Sequence, residues 1–136
     1  MRIVIDSNRV IAALIKDGLT RTIISSRNIA FYSPEHVLEE VEKYLPYIIT
    51  KSKMSKENIE LLFALFSENI ETVSDYDIKR KMPEAKKIME NIDINDAPIL
   101  ACSLAIRNHG IWTEDKHFEK QDKVRTWKSV ELLDYI

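Results

Sequence analysis

The sequence predicts an α/β fold in which a central, mostly parallel sheet of about five short strands is flanked by helices. Three observations lead there. A continuous aliphatic run, Ile3-Val4-Ile5, ends at Asp6, and unbroken apolar residues over a strand's length mark a strand buried on both faces, as in parallel sheets. Four more short apolar segments follow, separated by stretches of helical periodicity, the alternation expected of βα units. Only two glycines and four prolines interrupt the 136 residues, which favours helices joined by short loops.

Taken in order, Ser7 or Asn8 is expected to cap a helix through Val10, Ile11, Leu14 and Ile15, with Gly18 as its stop. A second helical stretch around Thr20 to Ser26 precedes a strand at Ile29–Tyr32. Ser33-Pro34-Glu35 then reads as a cap, a first-turn proline and an acid suited to the helix dipole. Ser55 opens a helix whose Ile59, Leu62, Phe63 and Phe66 recur at helical spacing up to Asn69. Ile70–Val73 is the third strand, and Pro83-Glu84 is expected to open a charged, exposed helix. After Asn95-Asp96 the positions Ala97, Leu100, Ala101, Leu104 and Ala105 form one apolar stripe. Gly110 is its expected stop. Ile111–Thr113 and Val124–Trp127 complete the strands, and Ser129 is expected to cap a final helical turn. Crossovers between parallel strands should be right-handed.

Length bounds the chain to a single domain over residues 1–136. Hydrophobic residues at 45% and charged residues at 31% suit a soluble globular protein, with no apolar run near the roughly 20 residues needed to span a bilayer. The N-terminus lacks the apolar centre of a signal peptide, so a cytoplasmic location is expected. Cys102 is the only cysteine, which excludes an intrachain disulfide and a multi-cysteine zinc site. It reads, like Trp112 and Phe118, as a core residue. A net charge of -2 gives no polybasic footprint, so any nucleic-acid role has to come from a site.

Such a site is offered by acids. Asp6 and Asp115 fall at or just beyond the ends of expected strands, and Asp96 lies in the first turn of the helix before the second of them. Glu40 lies about two turns into its helix and leans to the same sheet edge if its face turns inward; Glu39 is the competing choice. Each acid alone has a plain structural reading, as a turn former or a partner of a helix dipole. Together, unneutralised, they would repel, and a divalent cation resolves that conflict. Carboxylate oxygens without His or Cys suit Mg²⁺ or Mn²⁺, whose chemistry fits phosphodiester hydrolysis.

The segments IVIDSN, SPEHVLEEVEKY, DINDAPILACSLA and IWTEDKHF, in this order over nearly the whole chain, resemble the four motifs of PIN domains, of the kind found in prokaryotic toxin ribonucleases. The resemblance implies a three-layer α/β/α sandwich, RNA cleavage with Mg²⁺ or Mn²⁺, and often a toxin paired with an antitoxin. It implies Asp6, Glu40, Asp96 and Asp115 as the acidic quartet, with Asp6, Asp96 and Asp115 on the metal. Thr113 matches the hydroxyl residue found two positions before the last acid. Asn8 and Asp93 are supporting candidates. His117 stands where many relatives have another acid, which points to one firmly held ion.

His36, His109 and His117 lack mutual metal spacing and a nucleophile partner, and none is assigned a role. Arg9 and Lys116 are candidate RNA contacts, with Lys16, Arg21 and the Lys79-Arg80-Lys81 cluster behind them. A homodimer is expected, with Leu61, Leu65 and Phe66 as its apolar patch. Two rivals remain: a PIN-like RNA-binding or assembly module without catalysis, and a phosphorelay receiver with Asp75 as phosphoacceptor.

Overall fold

A computed structural model describes residues 1–136. Its five strands are β1 (Arg2–Ile5), β2 (Ala30–Pro34), β3 (Ile70–Val73), β4 (Ile111–Trp112) and β5 (Thr126–Trp127). They form one sheet in the order β3-β2-β1-β4-β5. All pairings are parallel, with Val4 opposite both Tyr32 and Ile111. The helices are α1 (Ser7–Ile15), α2 (Leu19–Ile24), α3 (Glu35–Lys43), α4 (Leu45–Ser52), α5 (Lys56–Glu68), α6 (Asp75–Met89), α7 (Ala97–Ala105) and α8 (Ser129–Leu132). None is long and apolar enough to cross a membrane.

Side chains alternate across the sheet, as strand geometry requires. Ile3, Ile5, Phe31 and Trp112 enter one core with residues of α1, α2, α4, α5 and α8. Val4, Tyr32 and Ile111 enter a second core with α6 and α7. Both faces are therefore covered, giving the three-layer α/β/α arrangement and explaining why β1 is aliphatic without alternation. Cys102, Trp112 and Phe118 are buried in these cores as expected.

The chain builds β1, β2 and β3 outward in one direction, then returns through α6 and α7 to lay β4 and β5 on the other side of β1. The switch in strand order thus falls between β1 and β4, where α/β folds open their sites. This order also removes the receiver reading. A receiver sheet runs 2-1-3-4-5, with its third strand central, whereas here β3 is an edge strand and Asp75 starts a helix at that edge.

Several boundaries differ from the sequence expectation, each for a local reason. Asp6 itself caps α1, accepting the Arg9 N–H at 3.2 Å, so Ser7 and Asn8 are already helical. Gly18 does not end α1. The helix stops at Lys16, and the Arg21 guanidinium donates to the Ala13 and Leu14 carbonyls at 2.7 and 3.1 Å, satisfying groups the helix end leaves open. Ser33 and Pro34 pair with β3, so α3 begins only at Glu35. Helix α4, with Pro46 in its first turn, was outside the periodic segments. Pro83 lies inside α6 rather than opening it, because Ser74 caps the helix, accepting the Asp77 N–H at 3.3 Å. Ser129 is the first residue of α8 and not its cap. Leu61 and Leu65 are exposed on α5, but Phe66 is core and unavailable to a dimer patch.

Candidate active site

At the switch point the residues Asp6, Asn8, Glu40, Asp96 and Asp115 line one cleft of about 240 Å³, with Ser7, His36, Val37, Asn95, Pro98 and Ile99. The four acids of the quartet are brought together from β1, α3, the turn before α7, and the turn after β4. Glu40 is half-buried on the face of α3 that also carries Val37 and Val41, while Glu39 points to solvent. The geometry therefore selects Glu40 over its neighbour.

Capping is what orients these carboxylates. Asp6 spends Oδ1 on the Arg9 N–H and receives the Thr113 hydroxyl on Oδ2 at 3.4 Å. Asp115 caps the 3₁₀ turn Lys116–Lys120, its Oδ1 accepting the His117 N–H at 2.9 Å. Asp93 caps the 3₁₀ turn Ile94–Asp96, its Oδ1 accepting the Asn95 N–H at 3.0 Å. Asp96 is the N-terminal boundary residue of α7, where the helix dipole favours negative charge. In Asp6 and Asp115 one oxygen thus holds the backbone and pins the group at the cleft, whereas the Asp96 side chain makes no such bond.

Thr113 joins two members of the set. Its buried hydroxyl donates to Asp6 Oδ2 and accepts the Asp115 N–H at 3.0 Å, so it fixes the spacing of acids from β1 and β4. Thr113→Val should weaken Mn²⁺ binding about 10- to 100-fold, the usual range for groups that orient metal ligands, with Thr113→Ser restoring it. Isothermal titration with Mn²⁺ reads both; unchanged affinity in Thr113→Val would remove this role.

The site is electrostatically frustrated without a cation. Burial raises the Asp6 carboxyl above its ordinary value, although the Arg9 N–H and guanidinium, the Thr113 hydroxyl and the Asn8 backbone oppose the shift. Burial, then the charges of Asp115 and Asp93, push Asp96 up to about 6 from 3.8, with His117 opposing. Asp96 Oδ2 is also buried without a hydrogen-bond partner. An oxygen-rich, partly desolvated set with an orphaned carboxylate oxygen fits a hard divalent cation. A pH consequence follows from the raised value. The fold prefers protonated Asp96, so this group's contribution is most favourable below about pH 4 and is lost as pH rises through 6. In EDTA, the stability of the protein relative to Asp96→Asn should fall over that window by on the order of 2 kcal/mol. Chemical denaturation at pH 4 and pH 7 checks it, and saturating Mn²⁺ should flatten the difference.

Other candidates are placed less centrally. Arg9 is half-buried, its guanidinium 6.0 Å from the Trp112 ring and its charge acting on Asp6 and Glu114. It is a counter-charge within the protein more than an open RNA contact. Lys116 is exposed beside Asp115. Arg21 is spent on the end of α1, and Lys16 lies at the opposite end of that helix from the cleft. Lys79, Arg80 and Lys81 sit on α6, with Arg80 3.7 Å from Asp77.

Two neighbours of the site have contacts that the sequence did not reveal. Glu114 accepts the Ser129 N–H and hydroxyl at 2.9 and 2.8 Å, and Ser129 Oγ accepts the Trp112 indole N–H at 3.0 Å. Burial disfavours its charge, but these bonds and the charges of Arg9 and Lys128 hold Glu114 below the usual carboxylate range. That network ties the segment bearing Thr113 and Asp115 to α8. The second is His117, whose Nδ1 stands 3.4 Å from Asp93 Oδ2, Asp96 Oδ2 and Asp115 Oδ1.

A comparison with curated proteins found no match. The family model described as PIN domain matches residues 4–134, from β1 through the last turn. PIN domains are in general metal-dependent nucleases, and the fold, the switch-point cleft and the converging acids agree with that description. The chain belongs to the PIN-domain family.

Proposed function

We propose that this protein is a Mg²⁺- or Mn²⁺-dependent endoribonuclease. The single observation that carries the reading is the convergence of Asp6, Glu40, Asp96 and Asp115 on one cleft at the β1–β4 switch. Asp6, Asp96 and Asp115 would hold the ion, which would supply a Lewis acid to activate water and neutralise charge on the phosphodiester. Thr113 holds Asp6 in place. The Glu40 side chain makes no hydrogen bond or ion pair, so its carboxylate is available to take a proton from the attacking water. Asn8, which lines the cleft, and the exposed Lys116 beside Asp115 would contact the RNA strand.

A second, more apolar groove of about 410 Å³ shares Asn8 and Glu40 with the cleft and continues along Ile11, Ala12, Ile15, Tyr44 and Tyr47. Tyr44 and Tyr47 are about half exposed. Aromatic faces beside a cleavage site accept unstacked bases of a single strand. Tyr47→Ala should therefore raise KM for single-stranded RNA severalfold with little change in kcat, measured with a fluorogenic oligonucleotide; an unchanged KM would exclude this path.

The nuclease reading is tested by incubating purified protein with a mixed RNA substrate. Cleavage is expected with Mn²⁺ or Mg²⁺ and none with EDTA; cleavage in neither condition would leave the binding-module reading standing. A toxin role, an antitoxin partner, a cytoplasmic location, one domain over residues 1–136 and a homodimer complete the proposal. The exposed Leu61 and Leu65 support the dimer, which light scattering on the wild type and on Leu61→Lys checks. Growth arrest on induced expression, relieved by a co-expressed neighbouring gene, checks the toxin role.

A further inference from the structure

We infer that His117 is a metal ligand, which with Asp93 and Asp96 at the edge of the cleft holds an ion in a mixed nitrogen and oxygen set, and that this site prefers Mn²⁺ and later first-row cations to Mg²⁺. The inference rests on the metal dependence proposed above but concerns residues outside the acidic quartet. His117 Nδ1 lies 3.4 Å from one oxygen each of Asp93, Asp96 and Asp115. Two donors about 2.1–2.2 Å from a common ion and roughly 90–110° apart stand about 3.0–3.6 Å from each other. The separations are those of neighbouring ligands around one cation.

A single long contact between His117 and Asp96 does not account for the whole arrangement. Nδ1 and Asp96 Oδ2 are both buried and neither has a well-formed hydrogen bond. A single N–H can aim at one acceptor, yet three carboxylate oxygens stand at the same distance from this nitrogen. The ligand atoms of Asp93, Asp96 and His117 all lie within 4.8 Å of one another. The imidazole is also held in place from its own backbone, because the His117 N–H is fixed on Asp115 Oδ1 at 2.9 Å.

The chemistry of the donor set then decides which ion is favoured. Carboxylates alone suit Mg²⁺, which demands a nearly regular octahedron of oxygens. Imidazole adds affinity that rises from Mn²⁺ to Co²⁺ and beyond, and adds little for Mg²⁺. His36 lines the cleft, but it has no carboxylate contact of this kind and serves as the control histidine.

The experiment loads the full chain with Mn²⁺ and records pulsed electron-spin-echo modulation, which detects nitrogen bonded to the ion. Nitrogen coupling is expected in the wild type and in His36→Gln, and is expected to vanish in His117→Gln. In calorimetry, His117→Gln should lose at least about tenfold in Mn²⁺ and Co²⁺ affinity, while His117→Asp should gain for Mg²⁺ relative to Co²⁺. Coupling that is absent from the wild type, that persists in His117→Gln, or that vanishes in His36→Gln overturns the assignment, even if Mn²⁺ affinity falls. RNA cleavage is scored separately. Nitrogen coupling without cleavage keeps the ligand and removes the nuclease reading; cleavage without nitrogen coupling does the reverse.

Discussion

Asp96→Asn is expected to abolish RNA cleavage and, in the same protein, to raise the melting temperature of the metal-free form at neutral pH. The two effects have one cause. Asp96 is half-buried at the start of α7, its carboxyl raised to about 6 by burial and by the charges of Asp115 and Asp93. At pH 7 the fold must hold it ionised, with one oxygen supported only by the long contact to His117 at 3.4 Å, and that costs stability when no cation is present. An amide removes the charge and keeps the shape. The gain should be on the order of 2 kcal/mol, which for a chain of this size is several degrees at about 4 °C per kcal/mol.

Catalysis moves the other way. The amide oxygen is a poor substitute for a carboxylate on a hard cation, and several kcal/mol of transition-state stabilisation depend on that cation, so the rate should fall at least about 100-fold. Opposite signs are what separate a functional acid from a structural one, since a purely structural Asp96 would lose stability on replacement. Gel analysis of RNA products with Mn²⁺, and thermal melting in EDTA, read the two arms. Retained cleavage above about a tenth of wild type, or a lowered melting temperature, would remove Asp96 from the site. Asp6→Asn should match the loss of cleavage while keeping α1 capped, because Asn is as good an N-cap as Asp.

What could be read from the sequence follows how local the determinant was. Asp6 and Asp115 were legible because each follows a short apolar strand and the fold class puts strand ends at the site. Asp96 was legible from the apolar stripe after it. Glu40 needed the register of α3, and the structure supplies a reason: the helix starts at Glu35, which places Glu40 one turn after Val37 on the inward face.

His117 was legible as a motif position occupied by a histidine, but its neighbours were not. Its partners Asp93 and Asp96 precede it by 24 and 21 residues, and it lies in a five-residue 3₁₀ turn with no periodic signature. Glu114 was missed for the same reason, its meaning residing in Ser129 across the β4–α8 junction. The error at Pro83 was of another kind. Proline was given more weight than the Ser74 cap with Asp75 and Asp77 behind it, although the cap and the first-turn acids are what start α6.

Gly110 shows how a residue can be noticed for the wrong reason and still matter most to stability. Sequence suggested a helix stop, but α7 ends at Ala105, and Asn108 closes that end by donating to the Ser103 and Ile106 carbonyls at 2.7 and 2.9 Å. Gly110 instead adopts φ +131°, a conformation that strains any residue with a Cβ. An added Cβ would run into the Arg125 carbonyl oxygen and come within 2.9 Å of Trp127 Nε1. Neither neighbour can yield. The Arg125 carbonyl accepts the Ile111 N–H at 2.9 Å, and Trp127 Nε1 donates to the His109 carbonyl at 2.8 Å. Gly110 is itself fixed, its carbonyl accepting the Val4 N–H at 3.0 Å and its N–H donating to Asn108 Oδ1 at 2.8 Å. Relief would have to part β4 from β1 or from β5, and β4 leads directly into Thr113 and Asp115. Backbone strain of about 1–3 kcal/mol and the clash together place Gly110→Ala in the tail above about 4 kcal/mol, against a total stability of about 5–15 kcal/mol. The melting temperature should fall by roughly 15 °C, with cleavage lost in proportion to the unfolded fraction. Gly18→Ala is the matched control. The nearest atoms to its Cβ belong to the flexible Lys16 side chain at 3.8–3.9 Å, and its effect should stay within about 1 kcal/mol. Equal stability of the two variants in urea would show that the β4–β5 edge is free to move aside, and would remove Gly110 as the residue that locks the Thr113–Asp115 segment to the sheet.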